Sequence, residues 1–242
     1  MDIKKRMHIY RPEVKRGDGA IIIFPGGGYS WRAPHEGDGY ARRISEMGLY
    51  AFVVDYRVAP DRHPLPLLDA WAAVRFVREN AKEWHIDGNK IAVMGSSAGG
   101  HLASLCATFR DESYRDAIPN AQILCYPVTD ISSHRGSYEN LLGEDVARHE
   151  EVTPTLLADE TAPPAFIWHT FNDGAVPIQN TLLYASALAD AGVPFEYHVY
   201  PDGVHGLSLA NRETWVGLPT HYNPTCQGWI DDAIRYVKEF QA

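Results

Sequence analysis

From Ala20 to the C-terminus, short apolar and β-branched runs alternate with longer stretches whose apolar residues recur every three or four positions. The runs Ala20 to Phe24, Tyr50 to Tyr56, Lys90 to Met94, Gln122 to Tyr126, Ala165 to Thr170 and Phe195 to Tyr200 predict strands. Several are unbroken in their apolar character, as a sheet covered on both faces requires. Between them, Glu36 to Met47, Pro66 to Trp84, Ser97 to Phe109, Pro177 to Ala191 and Cys226 to Phe240 predict helices. Leu67, Ala70, Trp71, Val74 and Val77 form the clearest stripe and read as a core-facing surface. This alternation predicts an α/β fold, with a mostly parallel central sheet and helices on both faces. Two stretches, 129–154 and 206–225, fit no tight connection and read as insertions that shape an active-site entrance as a small cap. With no internal repeat and no Ser/Gly linker, residues 1–242 are expected to form one domain.

Composition narrows the classes. A chain of 242 residues buries roughly 70 to 75% of its unfolded surface on folding, enough for a core without staples. The 22 Lys and Arg against 31 Asp and Glu give a formal charge of −9, which speaks against a nucleic-acid partner. Cys106, Cys125 and Cys226 suit neither a disulfide framework nor a metal pattern and read as reduced, buried thiols. The charged start Met1-Asp2-Ile3-Lys4-Lys5-Arg6 lacks the apolar stretch of a secretory leader, and no window reaches the ~18 apolar residues of a spanning helix. The expectation is a cytoplasmic protein with no membrane partner.

Lys90 to Ala103 reads as strand, sharp turn and helix around Gly95-Ser96-Ser97-Ala98-Gly99, a G-x-S-x-G pattern with Ser97 central. Such a turn projects the serine hydroxyl at the sheet edge, and a Cβ at either flanking glycine would collide with neighbouring elements. The helix that follows aims its free N–H groups and positive dipole end at a developing oxyanion. Ser96 is the weaker hydroxyl because it breaks the glycine symmetry, and a Ser/Gly-rich helix start is the plainer explanation of the whole segment.

Phe24-Pro25-Gly26-Gly27-Gly28-Tyr29 places three glycines directly after the first strand, where the main chain can approach an oxyanion closely. Gly28 and Tyr29, with Ala98 after the serine, are the expected amide donors. Neither G-x-x-x-x-G-K-[ST] nor G-x-G-x-x-G is present, so a phosphate cradle is disfavoured, and a plain tight turn remains the alternative.

Hydrolases of this sheet type run Ser, acid, His along the chain. His205 lies in a Gly-flanked loop after the last strand and is the first choice of base; His221 is second, and His101 and His169 read as structural. Asp173, after the Ala165 to Thr170 strand, is placed to fix the imidazole tautomer, with Asp130 as rival and Asp202 too near His205. No grouping at metal-ligand spacing competes, so a metal-independent reaction without cofactor is expected.

Taken together, the glycine loop, Val54-Asp55-Tyr56-Arg57-Val58-Ala59-Pro60, the Ser97 segment, Trp168-His169-Thr170 through Asp173 to Val176-Pro177, and Gly203-Val204-His205-Gly206 resemble the α/β-hydrolase superfamily. Within it they resemble acetyl xylan and feruloyl esterases, neighbours of the hormone-sensitive-lipase-like and prolyl-oligopeptidase-like groups. The resemblance implies Ser97 as nucleophile, Asp173 as acid and His205 as base, with donors near Gly28, Tyr29 and Ala98. Pro25 stands where the lipase-like loop usually has histidine, and Asn172 replaces the first acid of the commoner Asp-Asp pair. The N-terminal antiparallel strands of the family are expected to be shortened.

The implied activity is hydrolysis of short-chain esters, with an acetylated sugar such as a xylo-oligosaccharide as the small-molecule partner. Trp31, Trp215 and Tyr222 are candidate sugar-stacking residues, with filling of a small cap core as the alternative. His35, Glu36 and Asp38 are either hydroxyl-recognition groups or a solvated helix start. An amide hydrolase with the same three groups, and a non-enzymatic binding module of the fold, are the other classes considered.

Overall fold

The computed structural model describes residues 2–130 and 134–240. Seven strands form one sheet in the order β1-β3-β2-β4-β5-β6-β7. They are β1 (Met7–Tyr10), β2 (Ala20–Phe24), β3 (Tyr50–Val54), β4 (Ile91–Ser96), β5 (Ala121–Cys125), β6 (Ala165–Thr170) and β7 (Phe195–Tyr200). All neighbours pair parallel except β1, which runs antiparallel to β3 with Met7 opposite Val54 and Tyr10 opposite Ala51. The six parallel strands coincide with the apolar runs. Strand β1 has no such run: only Met7 of its four residues is buried, and pairing along the free edge of β3 makes it a strand.

Side chains alternate across the sheet. In β2, Ile22 and Phe24 enter one core while Ile21 and Ile23 enter the other; in β6, Ala165 and Ile167 oppose Phe166 and Trp168 in the same way. On the first face lie α2 (Leu65–Glu79), α3 (Ala98–Thr108) and α6 (Gln179–Asp190), and the stripe Leu67, Ala70, Trp71, Val74 and Val77 is buried there. On the second lie α1 (Asp38–Glu46) and α7 (Trp229–Phe240), through Tyr40, Ile44, Trp229, Ile230 and Ile234. Because each helix returns the chain to the start of the next strand, the loops that leave the strand ends converge on one edge of the sheet, where ligands of open α/β sheets bind.

The first insertion is more ordered than a loop. It contains α4 (Gly136–Leu142) and a 3-10 segment (Gly143–Val152) and ends at the start of α5 (Pro154–Leu157); its positions 131–133 lie outside the described residues. Tyr138, Leu141, Leu142 and Val152 from it join the core, which is why an insertion with little periodicity still folds into helical turns. The second contains only a short 3-10 turn (Pro219–His221), and Leu207, Leu209 and Ala210 anchor its start in the second core.

Candidate active site

Strand β4 delivers Ser97 into backbone that few residues adopt, at φ 53° and ψ −121°. The turn is enforced from both sides. A Cβ on Gly95 would overlap the Gly99 carbonyl, and one on Gly99 would overlap the Phe24 carbonyl and lie 2.6 Å from the Pro25 oxygen. The serine amide donates to the Cys125 carbonyl at 3.0 Å, and its own carbonyl accepts from the amides of His101 and Val128 at 3.0 and 3.1 Å. With its backbone held so, the side chain is directed outward, and Oγ lies 2.9 Å from Nε2 of His205.

The other ring nitrogen, Nδ1–H, donates to Oδ2 of Asp173 at 2.7 Å. Oδ1 of Asp173 accepts from the amides of Ala175 and Val176 at 2.8 and 2.9 Å, so the loop after β6 fixes the carboxylate in rotation as well as position. Burial raises the affinity of Asp173 for a proton. Hydrogen bonds from His169 and His205, the nearby His205 charge and the Val176 amide outweigh that, and hold the carboxyl well below its ordinary value of 3.8. Asp173 thus stays a carboxylate and keeps the His205 tautomer whose Nε2 can take a proton from Ser97.

The glycine loop leaves β2 beside the serine. Gly27 and Gly28 have φ of 128° and 61°, and a Cβ on Gly26 would lie 3.2 Å from that of Ser97. Asn140 of α4 donates to the Gly28 carbonyl at 2.8 Å, and the Tyr29 carbonyl accepts from the Ala59 amide at 2.7 Å. Both contacts orient the loop's carbonyls. Among the described residues, no acceptor takes the amide hydrogens of Gly28, Tyr29 or Ala98.

The rival groups have contacts of their own. Ser96 Oγ is buried against Tyr40 OH at 2.9 Å, the Asp130 amide donates to Asn180, and the His221 ring centre lies 6.4 Å from that of His35. His101 is a packing residue bridging Tyr29 OH (2.7 Å) and the Val152 carbonyl (2.8 Å), and burial lowers its pKa to about 4. His169 has a sharper role than packing, since its Nε2 is 3.3 Å from Oδ2 of Asp173. Asn172, the departure from the Asp-Asp pair, bonds Asp202 and accepts the Gly203 amide at 2.8 Å, tying the Asp173 and His205 loops together.

Two expectations need correcting. Of the three aromatics, Tyr222 alone shares a cavity with His205, one of about 730 Å³ that Asn172, Thr220 and Asn223 also line. One face of its ring carries the Arg212 guanidinium at 5.3 Å. Trp31 lines a separate cavity of about 630 Å³ with Tyr10, Arg32 and Asp55, and Trp215 lines neither. Glu36 belongs to no solvated helix start: it is 3% exposed, because the chain folds it back under the glycine loop. Asn140 was invisible to sequence reasoning, since it acts from an insertion without a motif. Among the described residues, no group of three His, Cys, Asp or Glu is placed to hold a metal ion, and no helix is long and apolar enough to cross a membrane.

An α/β sheet with a serine on the turn after a central strand, a histidine and an aspartate on later loops, and unpaired amides alongside defines a class of hydrolase. The chain belongs to the family described by the α/β hydrolase fold, whose model matches residues 21–209. It is 37% identical over 227 residues to endo-1,4-beta-xylanase B of Butyrivibrio fibrisolvens, covering 87% of this chain and 35% of that protein. It is 35% identical over 251 residues to the acetylxylan esterase of Xylanibacter ruminicola, covering 97% and 51%. The chain thus spans about half or less of the length of these two relatives. Among solved structures, the acetyl ester-xyloside bifunctional hydrolase of Caldicellulosiruptor lactoaceticus superposes with a TM-score of 0.84 at 39% identity, covering 96% of this chain and 87% of that one.

Proposed function

We propose that the protein is a serine carboxylesterase that removes short acyl groups, acetyl foremost, from hydroxyls of small carbohydrates such as xylo-oligosaccharides. The observation that carries this reading is the unbroken chain from Ser97 Oγ through His205 to Asp173, at 2.9 and 2.7 Å. In the proposed reaction Oγ attacks the ester carbonyl while Nε2 of His205 takes its proton. The developing oxyanion settles on the unpaired amides of the glycine loop and Ala98, in the field of the α3 N-terminus. Nε2–H then returns the proton to the departing sugar oxygen. The resulting acyl-Ser97 is attacked by a water that gives its proton to the same nitrogen, which releases the acid and restores the serine.

The cavity beside His205 carries hydrogen-bonding side chains, Asn172, Thr220, Tyr222 and Asn223, on its walls, and these can receive the hydroxyls of a sugar. Names of the relatives point the same way: an acetylxylan esterase and an acetyl ester-xyloside hydrolase. Acetate release from acetylated xylo-oligosaccharides, measured beside p-nitrophenyl acetate, p-nitrophenyl decanoate and an aminoacyl anilide, tests the proposal. The expected order is sugar acetate and p-nitrophenyl acetate well above the decanoate, with no anilide turnover and no activity in Ser97→Ala. Preference for the decanoate or the anilide would overturn the substrate reading, and a Ser97→Ala variant as active as the parent would overturn the mechanism.

A further inference from the structure

Glu36 ends the short 3-10 turn Pro34–Glu36 ahead of α1, and its carboxyl group is buried. Burying a carboxyl is unfavourable unless its oxygens are well hydrogen-bonded. No Lys or Arg ion pair reaches it among the described residues; both of its oxygens serve as acceptors. Oε2 takes the Gly26 amide at 2.9 Å, and Oε1 takes the Tyr126 hydroxyl at 2.7 Å.

The two partners lead to opposite halves of the site. Gly26 opens the glycine loop beside the serine, and the position of its missing Cβ lies 3.2 Å from the Ser97 Cβ. Tyr126 follows β5 in left-handed backbone, at φ 37°, and its ring meets the His205 ring edge to face with centres 5.1 Å apart. Its hydroxyl spends its hydrogen on Glu36 and accepts the Ser208 amide at 2.9 Å, three residues beyond His205. Ser208 Oγ in turn donates to the His35 carbonyl at 2.6 Å, closing the loop back beside Glu36. Tyr40 OH lies 3.2 Å from Tyr126 OH and 2.9 Å from Ser96 Oγ, which ties the residue before the serine into the same network.

We propose that Glu36 is a positioning residue that sets the oxyanion loop and the His205 loop at a fixed separation about Ser97, by holding the Gly26 amide with one oxygen and Tyr126 with the other. The proposal rests on the reading of Ser97 as nucleophile. Glu36→Gln is the sharpest perturbation, because the amide has nearly the same shape but only one acceptor oxygen. Whichever way it turns, its NH2 meets a group that was donating, either the Gly26 amide or the Tyr126 hydroxyl. Misplacement of reacting groups by about 1 Å costs on the order of 100-fold in rate.

The test measures three quantities on folded protein, with circular dichroism as the check of folding: kcat and KM for p-nitrophenyl acetate, and the second-order rate of Ser97 labelling by a fluorophosphonate. For Glu36→Gln the expected result is a fall of about 30- to 100-fold in kcat and a comparable fall in labelling rate, with KM within about twofold. Tyr126→Phe, which leaves the Glu36 bond to the Gly26 amide intact, is expected to lose less, and the double variant to lose less than the product of the two single effects. A folded Glu36→Gln with kcat and labelling within twofold of the parent would overturn the proposal. So would multiplicative losses in the double variant, a rise in KM alone, or loss of folding in both single variants. Failure of the parent itself to label, with Ser97→Ala as the control, would instead reject Ser97 as nucleophile.

Discussion

Replacing Asp173 by Asn changes one atom and reverses the direction of a hydrogen bond. The Ala175 and Val176 amides donate to Oδ1 at 2.8 and 2.9 Å, so the amide oxygen of the asparagine must stay on that side. Its NH2 then faces His205 Nδ1, 2.7 Å from the atom it replaces, where two donors cannot coexist. The imidazole answers by moving its hydrogen to Nε2, which points it at Ser97 Oγ and leaves no lone pair to take the serine proton. A tautomer reversal of this kind costs about 10⁴ in kcat, or about 5 kcal/mol of barrier. The two loop amides keep their acceptor, so the variant should fold and retain KM for p-nitrophenyl acetate. Its acid stability should also change in one direction. The folded carboxyl titrates well below 3.8 while the unfolded one does not, so in the parent it contributes stability that is present above about 4 and is lost as pH falls below it. Urea unfolding between pH 2.5 and 6 should show that part of the acid slope missing from Asp173→Asn. A variant with kcat within tenfold of the parent at pH 7 would refute the assignment of Asp173 to His205.

Three further outcomes follow from single contacts. Gly99→Ala should give little soluble protein, or a loss of about 3 kcal/mol or more by urea unfolding, because the added Cβ meets the backbone carbonyls of Phe24 and Pro25, which have nowhere to go. Asn140→Ala frees the Gly28 carbonyl and should lower kcat for p-nitrophenyl acetate about tenfold while leaving Tm within a few degrees; an unchanged kcat would show that the loop holds its shape without α4. His101 is neutral when buried and titrates at about 4 against 6.5 when unfolded, so its contribution is intact above about pH 6.5 and is lost progressively towards pH 4. That contribution is about 3 kcal/mol, and the stability of His101→Gln should be flatter than the parent's across that window.

Five strands and five helices were legible because each carries an apolar pattern that burial demands, β7 because its aromatic and β-branched residues favour a strand although none of them is buried, and the groups around Ser97, Asp173 and His205 because glycines and strand ends bracket them. Strand β1 was not, since its pairing comes from the exposed edge of β3 rather than from its own residues. The helical turns of 129–154 were hidden because Tyr138, Leu141 and Val152 are drawn into a core built mainly by distant segments. Glu36 and Asn140 illustrate a third kind of gap. Each acts on the glycine loop through one hydrogen bond to its backbone, and a backbone partner leaves no complementary residue in the sequence to signal the contact. Of the candidate aromatics, Tyr222 lies in the cavity with His205. Trp31 lines a different cavity from the one beside His205, and Trp215 lines neither.

Covalent capture tests the central claim most directly. After reaction with p-nitrophenyl diethyl phosphate, intact-mass and peptide mapping should find a single diethylphosphoryl group per chain, on the peptide that carries Ser97, with esterase activity lost in step with its appearance. Modification at another residue, or continued ester turnover by a chain fully modified at Ser97, would contradict it.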